Sequence, residues 1–498
     1  MKLQKKQERW LRSSRFALQR WVGLVLGAML LVILSAPAVV AAGARHYDEL
    51  EFPPLREVQL PDYERYQLDN GLVVYLVENH ELPLVQGNAF FRTGARLEPA
   101  DQVGLADLTG TAIRTGGTTN HPSNELNELL EQRAASVETS IGGSLGSASF
   151  NALSEDLTTV FDWFADVVQR PAFEEARLAL AQNQMRGGIA RRNDDPNSIA
   201  SREFYKLVYG ESSPYARTVE YATLSNITRE DVIRFYQQSF RPERMMLGIV
   251  GDFNREEMKA LIAEKFGSWQ GVEVAELPEI PEVRDRNPQG LFFVEQPQLT
   301  QSYIQLGHLG GRVDDPDYPA LSVLNGVLNG FGGRLFNEVR SRQGLAYSVY
   351  GFWSPNFDYP GVFIAGGQTR SEATVPFIQY VLGEVNNLRN APISSEELDY
   401  AKNSILNSFV FNFQSPGQTL SRLMRYEYYD YPADYIFQYQ RQVQNTTIED
   451  VQRVAQTYLT PDQLTTLVVG NSRDITPPLS RLDSNITTVD ITIPNPQS

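Results

Sequence analysis

The chain has 498 residues, 42% of them hydrophobic, so it can bury more than one core and is expected to fold as two to four domains. It has no cysteine, which excludes disulfides, thiolate metal sites and a cysteine nucleophile, and no two of its four histidines are close in sequence. Residues 1–44 carry seven basic side chains and one acidic, so a net charge of −16 becomes −22 for the remainder, a poor match for nucleic acid or anionic lipid but compatible with basic peptides.

The first 44 residues differ in kind from the rest. A basic stretch to Trp21 leads into an uninterrupted small-and-apolar run at 22–34, then Ser35-Ala36-Pro37 and small residues to Ala44. This reads as a secretory signal peptide with cleavage within 38–44, and hence as export, with the periplasm as the expected compartment. The alternative is an uncleaved membrane anchor, if the apolar run continues through Pro37.

Residues 45–61 read as an extended, proline-containing lead-in. The run 64–93 predicts a pair of strands with the tight turn at Asn70-Gly71, and places His80 in a solvated turn. At 104–118, GLADLTGTAIRTGGT, the spacing of Leu105, Leu108, Ala112 and Ile113 predicts a helix with one face inward, closed by Gly116-Gly117. His121 is expected in a loop. Beyond it, Ser123 or Asn124 should cap a helix with a buried stripe of Leu126, Leu129 and Leu130. Leu157, Phe161, Phe164 and Val168 predict another helix, stopped by Pro171. Residues 173–195 predict one helix ending at Asp194-Asp195-Pro196. Its Gly187-Gly188 costs about 2 kcal/mol relative to alanine, which suits either a packing pair or a position released from an earlier role.

A helix at 228–239 and a strand at 245–253 follow, and this unit is repeated. Residues 226–251, NITREDVIRFYQQSFRPERMMLGIVG, align without gaps to 445–470, NTTIEDVQRVAQTYLTPDQLTTLVVG, with ten identities in 26 positions. A fixed offset of 219 implies two homologous halves. The expected division is 45–275 for the first half, a Pro- and charge-rich linker at 276–289, 290–475 for the second half, and a polar tail at 476–498 with one possible edge strand.

The 104–118 helix resembles the metal helix of the pitrilysin/insulinase peptidases, the inverzincins, in which G-x-A-H-x-x-E-H precedes a Gly-Thr. Gly104, Leu105 and Ala106 match. The two zinc-binding histidines fall at Asp107 and Thr111, the catalytic glutamate at Gly110, and the family's third ligand, a glutamate, at Gly188. Two histidines one turn apart hold one zinc, and the carboxylate between them activates its water. None of the four positions retains its functional residue, so no zinc and no catalytic residue are expected on this chain. The resemblance spans about 62 to 471. It implies an α+β fold of two halves, each a mostly antiparallel sheet with helices packed on one face.

The second half carries GGRLFNEVRSRQGLAYSVYGFW at 332–353, similar to the family stretch in which an arginine on a helix and a tyrosine seven residues later grip the substrate. The resemblance assigns these roles to Arg340 and Tyr347. An arginine offers a fixed fork of donors to peptide carbonyls, and a phenol can donate to a scissile carbonyl or its oxyanion. Without the family, the same residues read as a basic helix end, a glycine C-cap and a strand. A phosphate loop at Gly330, Gly332 and Gly333 is excluded by the missing Lys-Ser/Thr. The resemblance to the processing-peptidase branch implies a heterodimer, in which a homologous partner with H-x-x-E-H holds zinc and this chain binds the peptide. The alternatives are a structural or assembly protein and a standalone peptide-binding protein.

Overall fold

A computed structural model describes residues 60–494, except 274, 276 and 284–287. The signal or anchor segment at 1–44 lies outside the described residues, as do most of the lead-in and part of the expected linker.

Runs rich in β-branched and aromatic residues form two six-stranded sheets. The first contains β1 (Glu64–Gln67), β2 (Val73–Glu78), β3 (Leu84–Phe91), β4 (Ser136–Ile141), β5 (Gly146–Leu153) and β6 (Met245–Gly251), in the order β1-β2-β6-β3-β5-β4. The second contains β7 (Gly290–Glu295), β8 (Gln301–Leu309), β9 (Ala346–Ser354), β10 (Val362–Arg370), β11 (Thr465–Gly470) and β12 (Ile486–Thr488), in the order β12-β7-β11-β8-β10-β9. Five strands correspond one to one, including the parallel pairs β2–β6 and β7–β11. The sixth differs. Strand β1 turns back on β2 through Asn70-Gly71, with Gly71 at φ +93°, whereas β12 comes from the C-terminal tail and lies parallel to β7.

The helices of the first half are α1 (Leu105–Thr115), α2 (Ser123–Glu131), α3 (Leu157–Gln169), α4 (Glu175–Ala190), α5 (Pro196–Tyr209), α6 (Tyr221–Ser225), α7 (Arg229–Ser239) and α8 (Arg255–Phe266). Those of the second are α9 (Tyr318–Leu328), α10 (Thr374–Asn390), α11 (Ser395–Ser408), α12 (Pro416–Tyr428), α13 (Tyr435–Asn445) and α14 (Ile448–Tyr458). The sequence repeat is α7–β6 against α14–β11. Each helix opens with the same capping box, Thr228 with Asp231 and Thr447 with Asp450.

Three local expectations are corrected. The pair of strands expected over 64–93 is three, β1, β2 and β3. Neither Ser123 nor Asn124 caps α2: Pro122 occupies the cap position, and Leu129 is only half buried beside the buried Leu126 and Leu130. The single helix expected over 173–195 is two. Helix α4 ends at Ala190, and α5 begins at Pro196 with the Asp195 carboxylate accepting from the Ser198 N–H at 2.9 Å. Pro196 has no N–H to give a preceding turn and pushes Asp195 into an extended conformation, so the helix restarts there.

Each sheet packs helices of its own half on one face. On the other face it receives one helix from the opposite half. Ile199, Phe204 and Val208 of α5 pack on Phe292, Val294, Leu467 and Val469 of the second sheet. In return Leu420, Met424 and Tyr428 of α12 pack on Tyr75, Val77, Met246 and Val250 of the first. Glycines make the room: a Cβ at Gly248 would lie inside 3.0 Å of the Met424 sulfur, and one at Gly307 would lie 3.0 Å from the Phe204 ring. The seam is also tied by polar groups. Arg65 donates twice to the Glu427 carboxylate, at 2.6 and 2.8 Å, and the Asn193 amide donates to the Ile491 carbonyl at 2.7 Å. The tail after β12 is therefore more than a solvated extension, since Ile493 packs on the first-half core.

Candidate functional site

Helix α1 forms where the pattern placed it. Gly104 takes the left-handed conformation that opens it, at φ +105°, and Leu105, Leu108, Ala112 and Ile113 are buried. The cap is one that sequence reasoning missed. The buried Glu98 carboxylate accepts from the Ala106 N–H at 2.9 Å, and burial pushes its pKa up against the pull of the Ala106 and Gly104 N–H groups. Its signal was positional: an acidic residue shortly before a helix that has only glycine at its cap.

The four vacated positions have different fates. Asp107 stands at the rim of α1, and partial desolvation raises its pKa above the usual carboxylate range. Thr111 lies half buried one turn on. Gly110 is buried against strand β4. A Cβ there would come inside 3.0 Å of the Ile141 nitrogen, and the Gly110 carbonyl accepts from the Thr139 hydroxyl at 2.6 Å. The strand has closed over the place where the glutamate side chain would start. Gly188, on α4, faces open space, with nothing within 4 Å of a Cβ built there.

One carboxylate, one hydroxyl and two glycines do not fit a zinc site, which needs at least three nitrogen, sulfur or carboxylate ligands from the protein. Among the described residues, no three His, Cys, Asp or Glu side chains converge to hold a metal. His80 is solvated as expected but ion-paired, 2.5 Å from Asp252 and 3.0 Å from Glu78, and these carboxylates raise its pKa. His121 lies in a loop, with its ring edge against Trp163.

In the second half the structure brings Arg340 and Tyr347 together. Arg340 lies on a π-helical turn, Phe336–Arg342, an uncommon form that is enriched at functional sites. Gly344, at φ +60°, ends that turn and returns the chain to β9, whose second residue is Tyr347. The Arg340 guanidinium lies over two rings, 4.7 Å from the centre of Phe336 and 4.8 Å from that of Tyr347. Phe336 is the contact that the sequence reading left out, and Phe331 meets its ring edge-on, with centres 5.1 Å apart. Tyr347 is 76% exposed and Phe331 81%. Arg340 makes no ion pair among the described residues, while its neighbours do: Arg342 is 2.8 Å from Glu338, and Arg334 is 2.6 Å from Glu397. A contact with a ring face uses no N–H donor, so the guanidinium keeps its donors for another acceptor.

Comparison with known proteins gives one result. The family model described as insulinase (peptidase family M16) matches residues 73–217, and the model described as peptidase M16 inactive domain matches 226–405. The chain is similar to an uncharacterized zinc protease, YmxG, of Bacillus subtilis, at 24% identity over 72% of this chain and 86% of that protein. It is also similar to a non-peptidase homolog, YmxG, of Helicobacter pylori, at 22% identity over 80% of this chain and 91% of that protein. Among solved structures, a peptidase M16 inactive domain from Pseudomonas fluorescens superposes with a TM-score of 0.72 at 26% identity, over 84% of this chain and all of that one. The periplasmic protease PqqL of Escherichia coli shares the fold, with a TM-score of 0.68 at 18% identity, over 86% of this chain and 49% of that one.

Proposed function

Because this chain belongs to peptidase family M16, the insulinase family, and its metal positions hold no zinc-ligand set, we propose that it is the zinc-free, substrate-binding subunit of a heterodimeric metallopeptidase. In this reading a homologous partner with H-x-x-E-H supplies metal and water. The present chain completes the chamber and holds the peptide through Arg340 and Tyr347. It is exported, by the basic and apolar segment 1–44, and its halves divide near 276–289 as the repeat suggests.

One observation carries the proposal. A half-buried Arg340 on an uncommon backbone turn lies against the exposed Tyr347 of the next strand, and among the described residues no carboxylate pairs with the arginine. A scaffold or assembly protein would explain the loss of the metal ligands, but it would leave this pair without a use. The test is purification of the native protein followed by identification of the co-purifying chain. A secreted homologue with H-x-x-E-H, active only with this chain present, is the expected result. Recovery as a lone chain, or with unrelated membrane subunits, would favour the peptide-binding or assembly alternatives.

A further inference from the structure

The seam between the halves holds a cleft of about 800 Å³, lined by none of the vacated metal positions and by neither Arg340 nor Tyr347. It is built from equivalent pieces. The segment after β3 contributes Arg92 and Arg96, and the segment after β8 contributes Arg312, Asp314 and Asp315. The β4–β5 turn supplies Ser144, and its counterpart between β9 and β10 supplies Phe357 and Asp358. The stretch that leaves the exchanged helix α12 crosses over them.

That stretch makes an aromatic wall. Neighbouring ring centres are 4.7 Å apart for Tyr428 and Tyr429, 5.0 Å for Tyr429 and Phe357, 5.5 Å for Phe357 and Tyr431, and 5.1 Å for Tyr431 and Tyr435. Three of the phenols are tied to backbone: Tyr428 donates to Ser144, Tyr431 to Phe357 and Tyr435 to Val313. The wall is thus fixed before any ligand arrives, which lowers the entropic cost of binding.

Most charges in the cleft are already matched. The buried Arg96 pairs with Asp358, Arg312 holds Asp314, and Asp315, though without an ion pair among the described residues, accepts from the Asp317 backbone N–H at 2.9 Å. Two are not. Arg92 stacks on Tyr428, 5.1 Å from its centre, and makes no ion pair among the described residues; nearby Glu427 is taken by Arg65. Asp430 makes no ion pair among the described residues either. A cation and an anion that no ion pair engages among the described residues therefore flank one ring wall. Asp430 is two residues from the tyrosine that carries Arg92, a chain separation of at most about 7 Å.

We propose that this cleft binds a small zwitterion with an apolar or aromatic body, a free amino acid or a peptide of one to three residues with both ends free. Its carboxylate meets Arg92, its ammonium meets Asp430, and its body lies along the tyrosines. The volume is in the range of small-molecule sites. The assignment does not depend on a zinc-bearing partner, so it stands or falls apart from the reading of Arg340 and Tyr347.

Calorimetry on the purified chain tests it, with Gly-Tyr-Gly bearing free ends, its N-acetyl form, its C-terminal amide, and free tyrosine as probes. The free-ended tripeptide or free tyrosine should bind saturably, and which of the two binds tighter fixes the ligand's size. Blocking either end should weaken binding at least about tenfold, the scale of one hydrogen bond to a charged group. Arg92→Gln should abolish the discrimination against the amide alone, and Asp430→Asn that against the acetyl form alone. Equal affinity for blocked and free peptides, no saturable binding of any probe, or discrimination unchanged in both variants would overturn the proposal. The comparison of blocked and free probes uses the unmodified chain, so it decides even if a variant misfolds.

Discussion

The Arg340 guanidinium lies 4.8 Å from the centre of the Tyr347 ring and 4.7 Å from that of Phe336. Tyr347 lies seven positions after Arg340, and an ordinary helix end would not set them in contact by itself. The π-helical turn and the left-handed Gly344 fold the intervening chain back, so that the second residue of β9 rises beside the arginine. Each cation–ring contact contributes about 0.5–1 kcal/mol at an exposed site. That suffices to hold the guanidinium in one orientation without using any of its hydrogen-bond donors.

Two helix glycines should respond to substitution in opposite directions. Gly188→Ala places its methyl in open space and should stabilise the chain by about 0.5–1 kcal/mol, through helix propensity and a less flexible unfolded state. Gly110→Ala gains the same propensity but drives its methyl into the β4 backbone, and should destabilise by about 1–3 kcal/mol. Denaturant unfolding of both variants measures this. A stabilised Gly110→Ala would mean that β4 yields easily, and that the closed gap on α1 is no obstacle to restoring a glutamate.

The repeat was legible because it is written locally. The two capping boxes and the strands that follow lie within 26 residues, and the structure places both units alike. Helix α1 was legible for the same reason, while the metal positions on it, and Gly188, were assigned by resemblance and the family's spacing. The exchange of α5 and α12 between the sheets was not. An amphipathic pattern shows that Phe204 or Met424 must be buried, but not against which sheet. One available sign was passed over: Asp195-Pro196 and Ser415-Pro416 both open a helix with a side-chain cap and proline at its first position. The seam cleft has no local signature, because its wall is drawn from segments far apart in sequence. Arg340 and Tyr347 were singled out from resemblance, and Phe336 escaped because an aromatic at a helix start is usually core.

The isolated chain should carry no stoichiometric zinc and cleave no peptide. Asp107 and Thr111 offer one carboxylate and one hydroxyl, and Gly110 and Gly188 offer nothing. Elemental analysis after dialysis, with a fluorogenic peptide pool as the activity probe, decides the matter. One zinc per chain that is lost on Asp107→Ala would refute it.

Assembly should be with a homologous chain of similar size. Light scattering of the purified chain, alone and mixed with the co-purifying homologue, should show a 1:1 complex only in the mixture. A stable homodimer that excludes the homologue would instead make this chain its own partner, and would require the chamber to lack a metal altogether.

The sharpest expectation concerns the two side chains in contact. If Tyr347 donates to the carbonyl under attack, Tyr347→Phe removes that donor and leaves the ring under Arg340, so the stack and the fold persist. Turnover of the reconstituted complex should then fall on the order of a hundredfold, about 3 kcal/mol, as for the loss of one oxyanion donor. Arg340→Ala removes the peptide-binding fork and frees Tyr347 from its stack, so it should lower kcat/KM at least as far. Arg340→Lys should restore little, because an ammonium is a point charge without the planar fork. Arg342→Ala is the control: that arginine is tied to Glu338 and should cost well under tenfold. The readout is kcat/KM, with assembly and zinc content followed in parallel. Full activity in Tyr347→Phe together with Arg340→Ala would show that the second half only closes the chamber.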